Sequence, residues 1–247
     1  MIDLHCHLLW GMDDGAQSVE DTLALCKTAV ENGIHTAVCT PHMLDLDETD
    51  DYLYVRDRHA EELHKLLKAE KIPLDVRLGA EVYLNDKLFT ADDLEALTIE
   101  NTRYLLCEFS LRPFPPERVM LLINEVCERG LVPVIAHPER YPVLHRHPGL
   151  LEDLQDVGAL FQVNAASFAG RLGDEVQELA VYLLKNGIAD FIGTDAHRPH
   201  WRDNAFLKYA ETFPPILSQK QLRWVTEEAP ALLLENKDIF AYRPKSF

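Results

Sequence analysis

Short runs of apolar, β-branched residues alternate along this chain with longer segments in which apolar residues recur at helical spacing. This alternation is typical of a parallel sheet whose strands are joined by helices. Seven runs are predicted to be strands: residues 2–5, 36–40, 75–78, 104–108, 132–136, 160–163 and 191–193. Seven strand–helix units predict an α/β fold built as one closed or nearly closed barrel. An open doubly wound sheet is the structural alternative.

Between the strands, the pattern predicts helices with recognisable ends. Ser18 and Asp21 have the spacing of a capping box, and Gly33 is placed to end the helix that they begin. Further helices are predicted over residues 54–68, 115–130, 174–185 and 220–228. No segment has the composition of a linker, so residues 1–247 are expected to form a single domain with the tail 238–247 at its periphery.

The composition is that of a globular protein, with 47% hydrophobic and 26% charged residues. No apolar run is long enough to span a bilayer, and the chain does not begin with a basic segment followed by an apolar core. We therefore expect a cytoplasmic location and no membrane insertion. The formal net charge of −17 argues against nucleic acid as a partner, because like charges repel. A bound cation can still invert the local field in an active site.

The five cysteines predict buried thiols rather than disulfides or a zinc knuckle. Their number is odd, they lie mostly within apolar patterns, and no two form a C-x-x-C pair. None is followed by an arginine six residues later, which excludes the C-x5-R loop of phosphatases that use a cysteine nucleophile. The cysteines are Cys6, Cys26, Cys39, Cys107 and Cys127.

A polar side chain stands at the carboxyl end of every predicted strand. In chain order these residues are His5 and His7, His42, Glu81, Glu108, His137, Asn164, and Asp195 with His197. Parallel strands in a barrel bring their carboxyl ends and the following loops together at one face. Two residues spaced by two point to the same side of an extended segment and can bind the same ion. Imidazole and carboxylate suit Zn, Mn or Fe, so the pattern predicts a polynuclear metal centre.

Each of these residues has a structural alternative when it is taken alone. An isolated histidine is usually a core or surface side chain, and Glu81 or Glu108 could cap a helix or form a salt bridge. The joint pattern, with an H-x-H pair at one end of the chain and a D-x-H pair at the other, favours the metal centre. Six histidines lack a strand-end position, and most are expected to have no such role: His35, His59, His64, His145, His147 and, closest to the last strand, His200.

Two aspartates near the first strand are interpreted separately. Asp3 lies on the same strand face as His5 and His7, and we expect it to hold one imidazole in its tautomer from behind the metal site. The Asp-Asp-Gly sequence at residues 13–15 is compatible with a simple turn. Asp14 is nevertheless expected to be a metal ligand.

Five motifs together resemble the PHP superfamily, which is named for polymerase and histidinol phosphatase. They are D-x-H-x-H at residues 3–7, T-P-H at 40–42, G-A-E at 79–81, A-H-P-E-R at 136–140 and T-D-A-H at 194–197. Three further segments resemble the bacterial PHP-type protein-tyrosine phosphatases of capsule and exopolysaccharide clusters. They are M-D-D-G-A at 12–16, C-E-F at 107–109 and A-L-L-L-E-N-K at 231–237, so the resemblance covers almost the whole chain.

The resemblance implies a distorted (βα)7 barrel that binds three divalent ions, with Mn2+ typical for activity and Fe or Zn as alternatives. The first ion would be bound by His5, His7, Glu81 and Asp195. The second would share Glu81 and add Glu108 and His137, and the third would use Asp14, His42 and His197. Two arginines, Arg140 and Arg202, match those that contact the phosphate, with Arg198 as the rival of Arg202. The residues expected to act in catalysis are therefore Arg140, Arg202 and His42.

The resemblance also implies an activity. The chain would be a metal-dependent protein-tyrosine phosphatase that acts on the tyrosine-rich tail of a bacterial autokinase and so regulates capsule or exopolysaccharide synthesis. The nearest rival is a PHP phosphatase for a small molecule such as histidinol phosphate or a nucleotide. A rival of a different class is a non-catalytic, metal-stabilised scaffold that binds a kinase tail, but a scaffold has no need of open coordination sites.

Overall fold

The computed structural model describes residues 1–206 and 216–244 of the chain. Within these residues the strands pair in parallel in two sheets and alternate with helices, which confirms the predicted α/β class. The strands are β1 (Ile2–Cys6), β2 (Thr36–Cys39), β3 (His42–Met43), β4 (Asp75–Leu78), β5 (Glu81–Tyr83), β6 (Tyr104–Glu108), β7 (Val132–Ala136), β8 (Leu160–Asn164) and β9 (Phe191–Gly193). One sheet has the order β1-β2-β4 and the other β3-β5-β6-β7-β8-β9.

Two short strands, β3 and β5, are absent from the predicted set and continue the lines of β2 and β4 after a break. Pro41 lies in the first break and has no N–H to donate to a neighbouring strand. Its carbonyl still accepts a hydrogen bond from Glu81 N at 3.2 Å, and Cys39 O accepts one from Gly79 N at 3.0 Å. The two lines of backbone therefore stay paired across the breaks.

The first and last strands of the chain, β1 and β9, are edge strands of the two sheets and lie next to each other. Just beyond β9, Asp195 N donates to His5 O and Ala196 O accepts from His7 N, both at 2.8 Å. The register of β1 against β2 shifts between Asp3 and Cys6. These backbone contacts bring the H-x-H pair from one end of the chain next to the D-x-H pair from the other.

The helices agree with the prediction in place but not always in extent. They include α1 (Val19–Glu31), α2 (Thr49–Glu70), α3 (Pro116–Glu128), α4 (Pro142–Arg146), α5 (Leu150–Asp156), α6 (Ala165–Phe168), α7 (Asp174–Lys185), α8 (Gln219–Arg223), α9 (Ala229–Leu234) and α10 (Ile239–Tyr242). The first turn of α2 carries Asp50 and Asp51, acidic residues that suit the positive end of a helix dipole. The helix predicted over 220–228 is divided, because α8 gives way to a π-helical turn at Trp224–Glu228.

The cap of α1 forms only in part as predicted. Ser18 accepts a hydrogen bond from Asp21 N at 3.2 Å, which satisfies one free N–H of the first turn. The reciprocal contact of a capping box is missing, since the Asp21 carboxylate accepts from Gln17 N at 3.2 Å instead. Gly33 follows the helix with φ of +78°, a left-handed conformation that glycine adopts without strain.

The core consists of strands buried along their length and of the inner faces of the helices. Every residue of β6 is buried, as expected for a parallel strand covered on both faces. The cysteines are free thiols, buried except for the half-buried Cys127, which confirms the prediction. Burial raises the pKa of Cys107, so this sulfur stays protonated and unreactive. No helix among the described residues is both long and apolar enough to cross a membrane.

The end of the described chain packs against the sheets, so the expectation of a peripheral tail is wrong for part of it. Ile239 is fully buried, and its N–H donates to the hydroxyl of Tyr104 at 3.3 Å. Arg243 forms an ion pair with Asp190, a buried residue just before β9 whose charge needs a cation. Residues 245–247 lie outside the described residues.

Removal of Arg243 is expected to destabilise the fold in a pH-dependent way. Burial raises the pKa of Asp190 from 3.8 to about 6, although Arg243 opposes this shift. Folding therefore takes up a proton between these values, and the stability falls as the pH rises through that window. We expect Arg243→Ala to lower the free energy of unfolding by roughly 3 kcal/mol at pH 7.5. The loss should be much smaller at pH 5, where a protonated Asp190 needs no cation; denaturant titrations at both pH values measure it.

Two variants serve as controls for this prediction. Arg223→Ala breaks an exposed pair with Glu228 and should change the stability little at either pH. Asp190→Asn, added to Arg243→Ala, removes the buried charge and should abolish the difference between the two pH values. An equal loss for Arg243→Ala at both pH values would contradict the role given to the buried carboxylate.

Candidate metal centre

Four buried side chains on or beside the strands β1, β5 and β9 form the middle of the site. They are His5 on β1, His7 directly after β1, Glu81 at the start of β5 and Asp195 after β9. Their ligand atoms lie within 4.8 Å of one another. Glu81 Oε2 is 3.0 Å from His5 Nε2 and 3.2 Å from His7 Nε2. Asp195 Oδ1 is 3.5 Å from His5 Nε2. The structure thus brings together the whole set expected for the first ion.

The residues expected for the second ion also meet at Glu81. His137 Nε2 is 2.8 Å from Glu81 Oε1. Glu108 Oε1 is 3.0 Å from His42 Nδ1, which is itself 3.1 Å from Glu81 Oε2. His42 is therefore an additional neighbour of this set, whereas the resemblance implied it only for the third ion.

The residues expected for the third ion lie at the solvent side of the cluster. Asp14 Oδ1 is 3.3 Å from His197 Nε2 and 3.5 Å from His42 Nε2. Asp14 is 57% exposed in its side chain, whereas His197 is buried. His42 and His197 also share a possible metal-binding group with His7. All nine predicted ligands consequently belong to one continuous cluster.

Several buried polar atoms of the cluster have no hydrogen-bond partner. They include His42 Nδ1, Glu81 Oε2, Asp195 Oδ1 and His197 Nε2. Buried polar atoms are nearly always paired in native proteins. Imidazole nitrogen and carboxylate oxygen are also the usual ligands of Mn, Fe and Zn. The residues of the cluster therefore fit divalent metal ions.

The carboxylates of the cluster shift the pKa values of its imidazoles. Burial alone would lower the pKa of His42, but the nearby carboxylates of Asp14 and Glu108 raise it to about 11. Burial would likewise lower the pKa of His7, and the carboxylates of Asp13 and Glu81 raise it to about 9. A metal binds neutral imidazole, so loading the cluster with ions would release protons.

Asp13 orients two parts of the site, a role that the sequence analysis missed. Its Oδ2 atom accepts a hydrogen bond from His7 Nδ1 at 2.6 Å and another from His42 N at 2.9 Å. The first contact directs His7 Nε2 towards the cluster, as carboxylates commonly do for metal-bound histidines. The signal was the pair of adjacent carboxylates at residues 13 and 14, of which only the second was assigned to the site.

Gln162, on β8, is a second orienting residue that the sequence analysis missed. Its Oε1 atom accepts from His5 Nδ1 at 2.7 Å, and its Nε2 atom donates to Asn164 Oδ1 at 2.9 Å. Asn164 in turn donates through Nδ2 to Asp195 Oδ2 at 2.6 Å. These two amides therefore hold His5 and Asp195 in position. Asn164, to which the sequence analysis gave no role, is one of them.

The role expected of Asp3 is wrong, because its carboxylate contacts no imidazole. It accepts hydrogen bonds from the backbone N–H of Thr194 at 3.0 Å and of His5 at 3.3 Å, and from the hydroxyl of Thr194. The register shift in β1 after Asp3 accompanies this different direction. Asp3 links the backbones of β1 and the segment after β9, and so positions the ligands indirectly.

The arginines expected at the phosphate lie beside Asp195. Arg140 Nη1 is 3.3 Å from Asp195 Oδ2, and Arg202 forms an ion pair with the same oxygen. Arg198 is exposed, and its Nε atom donates to Asp14 O at 3.2 Å. Arg202 rather than its rival therefore shares the neighbourhood of Arg140.

Two ligand candidates have left-handed backbone conformations. His137 has φ of +35° and Asp195 has φ of +52°, which non-glycine residues rarely adopt. Such strain is concentrated at functional sites, where the surrounding structure compensates for it. The histidines without strand-end positions belong to none of the possible metal-binding groups among the described residues.

A cavity of about 560 Å3 opens onto the cluster. Its lining includes the ligand candidates Asp14, His42, Glu108 and His137 together with Arg140 and Arg202. A cavity of about 610 Å3 elsewhere is lined by residues such as Arg56 and Glu100, and contains no predicted ligand. A phosphate group that entered the first cavity would therefore meet both arginines and the cluster.

Fold and site together define an α/β protein with a residue cluster suited to divalent metal ions. Residues 1–235 match the family model described as capsular polysaccharide synthesis, CpsB/CapC, and the chain belongs to this family. It is 32% identical to the tyrosine-protein phosphatase YwqE of Bacillus subtilis (strain 168), over 99% of this chain and 96% of the relative. It is 28% identical to the tyrosine-protein phosphatase CpsB of Streptococcus pneumoniae, over 83% of this chain and 88% of the relative.

A solved structure supports the same assignment. It belongs to a study of YwqE from Bacillus subtilis and CpsB from Streptococcus pneumoniae, described as unique metal-dependent tyrosine phosphatases. The match has a TM-score of 0.86 at 30% identity and covers 97% of this chain and 96% of that one. The resemblance to capsule-cluster phosphatases is thereby confirmed, and the chain is a member of a family of metal-dependent tyrosine phosphatases.

Removal of the Gln162 amide should weaken metal binding without unfolding the protein. Gln162→Leu keeps a side chain of similar size but frees His5 Nδ1, so the imidazole is no longer held in one orientation. Loss of such an orienting contact typically lowers metal affinity by about 10- to 100-fold. Competition with a chelator, followed by metal analysis, measures the affinity.

Gln177→Leu is the matched control, because the Gln177 amide donates to Phe168 O and lies outside the cluster. It should bind metal as the unaltered protein does. Unchanged metal affinity in Gln162→Leu, with a native circular dichroism spectrum, would show that the amide does not support the site.

Proposed function

We propose that this chain is a metal-dependent protein-tyrosine phosphatase. The carrying observation is that Arg140 and Arg202 line the same cavity as His42, Glu108 and His137. That cavity thus offers donors for phosphate oxygens beside a cluster suited to divalent ions. The activity of the relatives named above supports the assignment, as does the absence of a usable thiol.

The proposed architecture is a single domain over residues 1–247, built as a distorted barrel of seven strand lines. Two of these lines are β2 with β3 and β4 with β5. The hydrogen bond from Asp195 N to His5 O supports closure between β9 and β1. In this arrangement every line delivers its carboxyl end to the site, which is the usual place of the active site in such barrels.

The proposed centre holds three divalent ions, with Mn2+ as the expected metal and Fe or Zn as alternatives. We assign the first ion to His5, His7, Glu81 and Asp195, the second to Glu81, Glu108 and His137, and the third to Asp14, His42 and His197. The interatomic distances support the first set, and also the contact of Glu81 with His137 and those of Asp14 with His42 and His197. Glu108 lies 3.0 Å from His42, the residue through which the second and third sets meet.

Divalent ions held by these residues would supply Lewis-acid stabilisation and would lower the pKa of water towards neutral pH. Arg140 and Arg202 bind and orient the phosphoryl oxygens and offset the charge that develops on them. The leaving tyrosyl oxygen has a phenol pKa near ~10, so it needs less protonation than an alkoxide would. The buried cysteines contribute no covalent step, because their thiols lie outside the cavity.

The proposed substrate is a phosphotyrosine protein, in particular the tyrosine-rich tail of a bacterial autokinase for polysaccharide export. The description of the family model, capsular polysaccharide synthesis, supports this setting. The cytoplasmic location stays a prediction, as does the absence of a nucleic-acid partner.

The proposed activity predicts metal-dependent phosphate release from a phosphotyrosine peptide. After chelation the protein should be inactive, and Mn2+ should restore release selectively for phosphotyrosine over phosphoserine. The measurement is inorganic phosphate released from these two peptides and from histidinol phosphate. Preference for histidinol phosphate would keep the metal centre but assign the protein to the small-molecule branch. A metal-loaded protein that releases phosphate from none of them would support the scaffold.

The two rival arginines predict different losses of activity. Arg202→Gln removes a donor from the cavity and should lower kcat by about 100-fold, the usual effect of losing one transition-state donor. Arg198→Gln should have a much smaller effect, because Arg198 is exposed and bonds the backbone of Asp14. Since Arg202 also contacts Asp195, bound metal must be measured in both variants. Equal losses of kcat at full metal occupancy would overturn the choice of Arg202.

A further inference from the structure

The exposed part of the cavity lining carries apolar as well as polar side chains. The less exposed lining side chains belong to the site, with His42 at 19%, Glu108 at 11% and His137 at 2% exposure. Two leucines of the same lining are much more exposed, Leu44 at 61% and Leu111 at 45%. A single exposed leucine needs no explanation. Two exposed leucines from separate loops that line the same cavity are unusual and call for an explanation.

The loop that carries Leu111 has a fixed base. Phe109 N donates to the Tyr141 hydroxyl at 3.1 Å, and the two rings pack edge to face with centroids 5.6 Å apart. Phe109 is buried and lines the same cavity. Leu111 therefore extends from an anchored segment only two residues away.

Leu44 is also held between fixed points. It directly follows β3, where His42 N is bound by the Asp13 carboxylate at 2.9 Å. On its other side, Asp45 accepts from Asp47 N at 3.0 Å and begins a short 3-10 turn. The exposed position of this side chain is thus set by ordered backbone on both sides.

We propose that Leu44 and Leu111 form a subsite for the phenyl ring of the substrate phosphotyrosine, an inference that rests on the proposed function. When a phosphate is bound by Arg140 and Arg202, the group attached to it must leave through the mouth of this cavity. A phenyl ring in that place covers aliphatic surface that water otherwise contacts, which is favourable. Phosphoserine has no ring to offer there, and the polar groups of histidinol phosphate gain nothing from leucine. The subsite therefore selects aryl phosphates.

The test compares, within each variant, the KM of a substrate that has a phenyl ring with the inhibition constant of inorganic phosphate. Leu44→Asn and Leu111→Asn keep the side-chain size but remove the apolar surface. The KM for phenyl phosphate and for a phosphotyrosine peptide should rise about tenfold in each. The inhibition constant of inorganic phosphate, which lacks a ring, should stay as it is. The readout is the ratio of KM to this inhibition constant, so a general loss of active protein cancels.

Leu121→Asn is the matched control, since Leu121 is 48% exposed on α3 and does not line the cavity. Its ratio should equal that of the unaltered protein. Hydrolysis of phosphotyrosine with an unchanged ratio in both cavity variants would overturn the subsite and leave the proposed function intact. So would an equal rise of both constants, which indicates a disturbed cavity. A metal-loaded, unaltered protein that does not hydrolyse phosphotyrosine would instead overturn the proposed function, and the subsite with it.

Discussion

The buried carboxylate of Glu81 is the contact on which the site depends. Four imidazole nitrogens lie within 3.2 Å of its two oxygens, those of His5, His7, His42 and His137. An isolated carboxylate in such a place would be very unfavourable, because burial removes its hydration. Burial would raise the pKa of Glu81, but the surrounding histidines lower it well below its usual value. Glu81 therefore keeps its negative charge. Its contacts with the four histidines link the strands and loops that carry them.

The convergence on Glu81 explains the irregular backbone around the site. The strand line carrying His42 breaks at Pro41, and the line carrying Glu81 breaks at Gly79, where a Cβ atom would lie 3.3 Å from a methyl group of Thr40. Asp195 is left-handed, a conformation that costs of order 1 kcal/mol for a residue with a side chain. Its N–H is nevertheless bonded to β1, so the deviation from regular structure is stabilised where it serves the cluster.

The positions of most candidate ligands could be predicted because one rule of parallel sheets applies to them; Asp14, in the loop after β1, is the exception. Strand ends converge, and a side chain type suited to metals stood at each end. The strands β3 and β5 are too short to show a period, and the breaks before them hide their continuity. Gln162 could not be predicted as the partner of His5, because 157 residues separate the two and only the folded sheet makes them neighbours. Asp3 was misassigned because a period of two assumes a regular strand, which β1 is not.

Asp195 has one carboxylate oxygen facing candidate metal ligands and the other facing the two arginines of the cavity. Its Oδ1 atom lies 3.5 Å from the imidazoles of His5 and His197 and has no hydrogen-bond partner. Its Oδ2 atom instead contacts both arginines that line the cavity. One oxygen is thus available to an ion. The other holds the two guanidinium groups in place, so that a phosphate would meet them already ordered. The chain has a net charge of −17. This arrangement keeps two positively charged guanidinium groups beside a carboxylate-rich cluster, where they would attract a phosphate dianion.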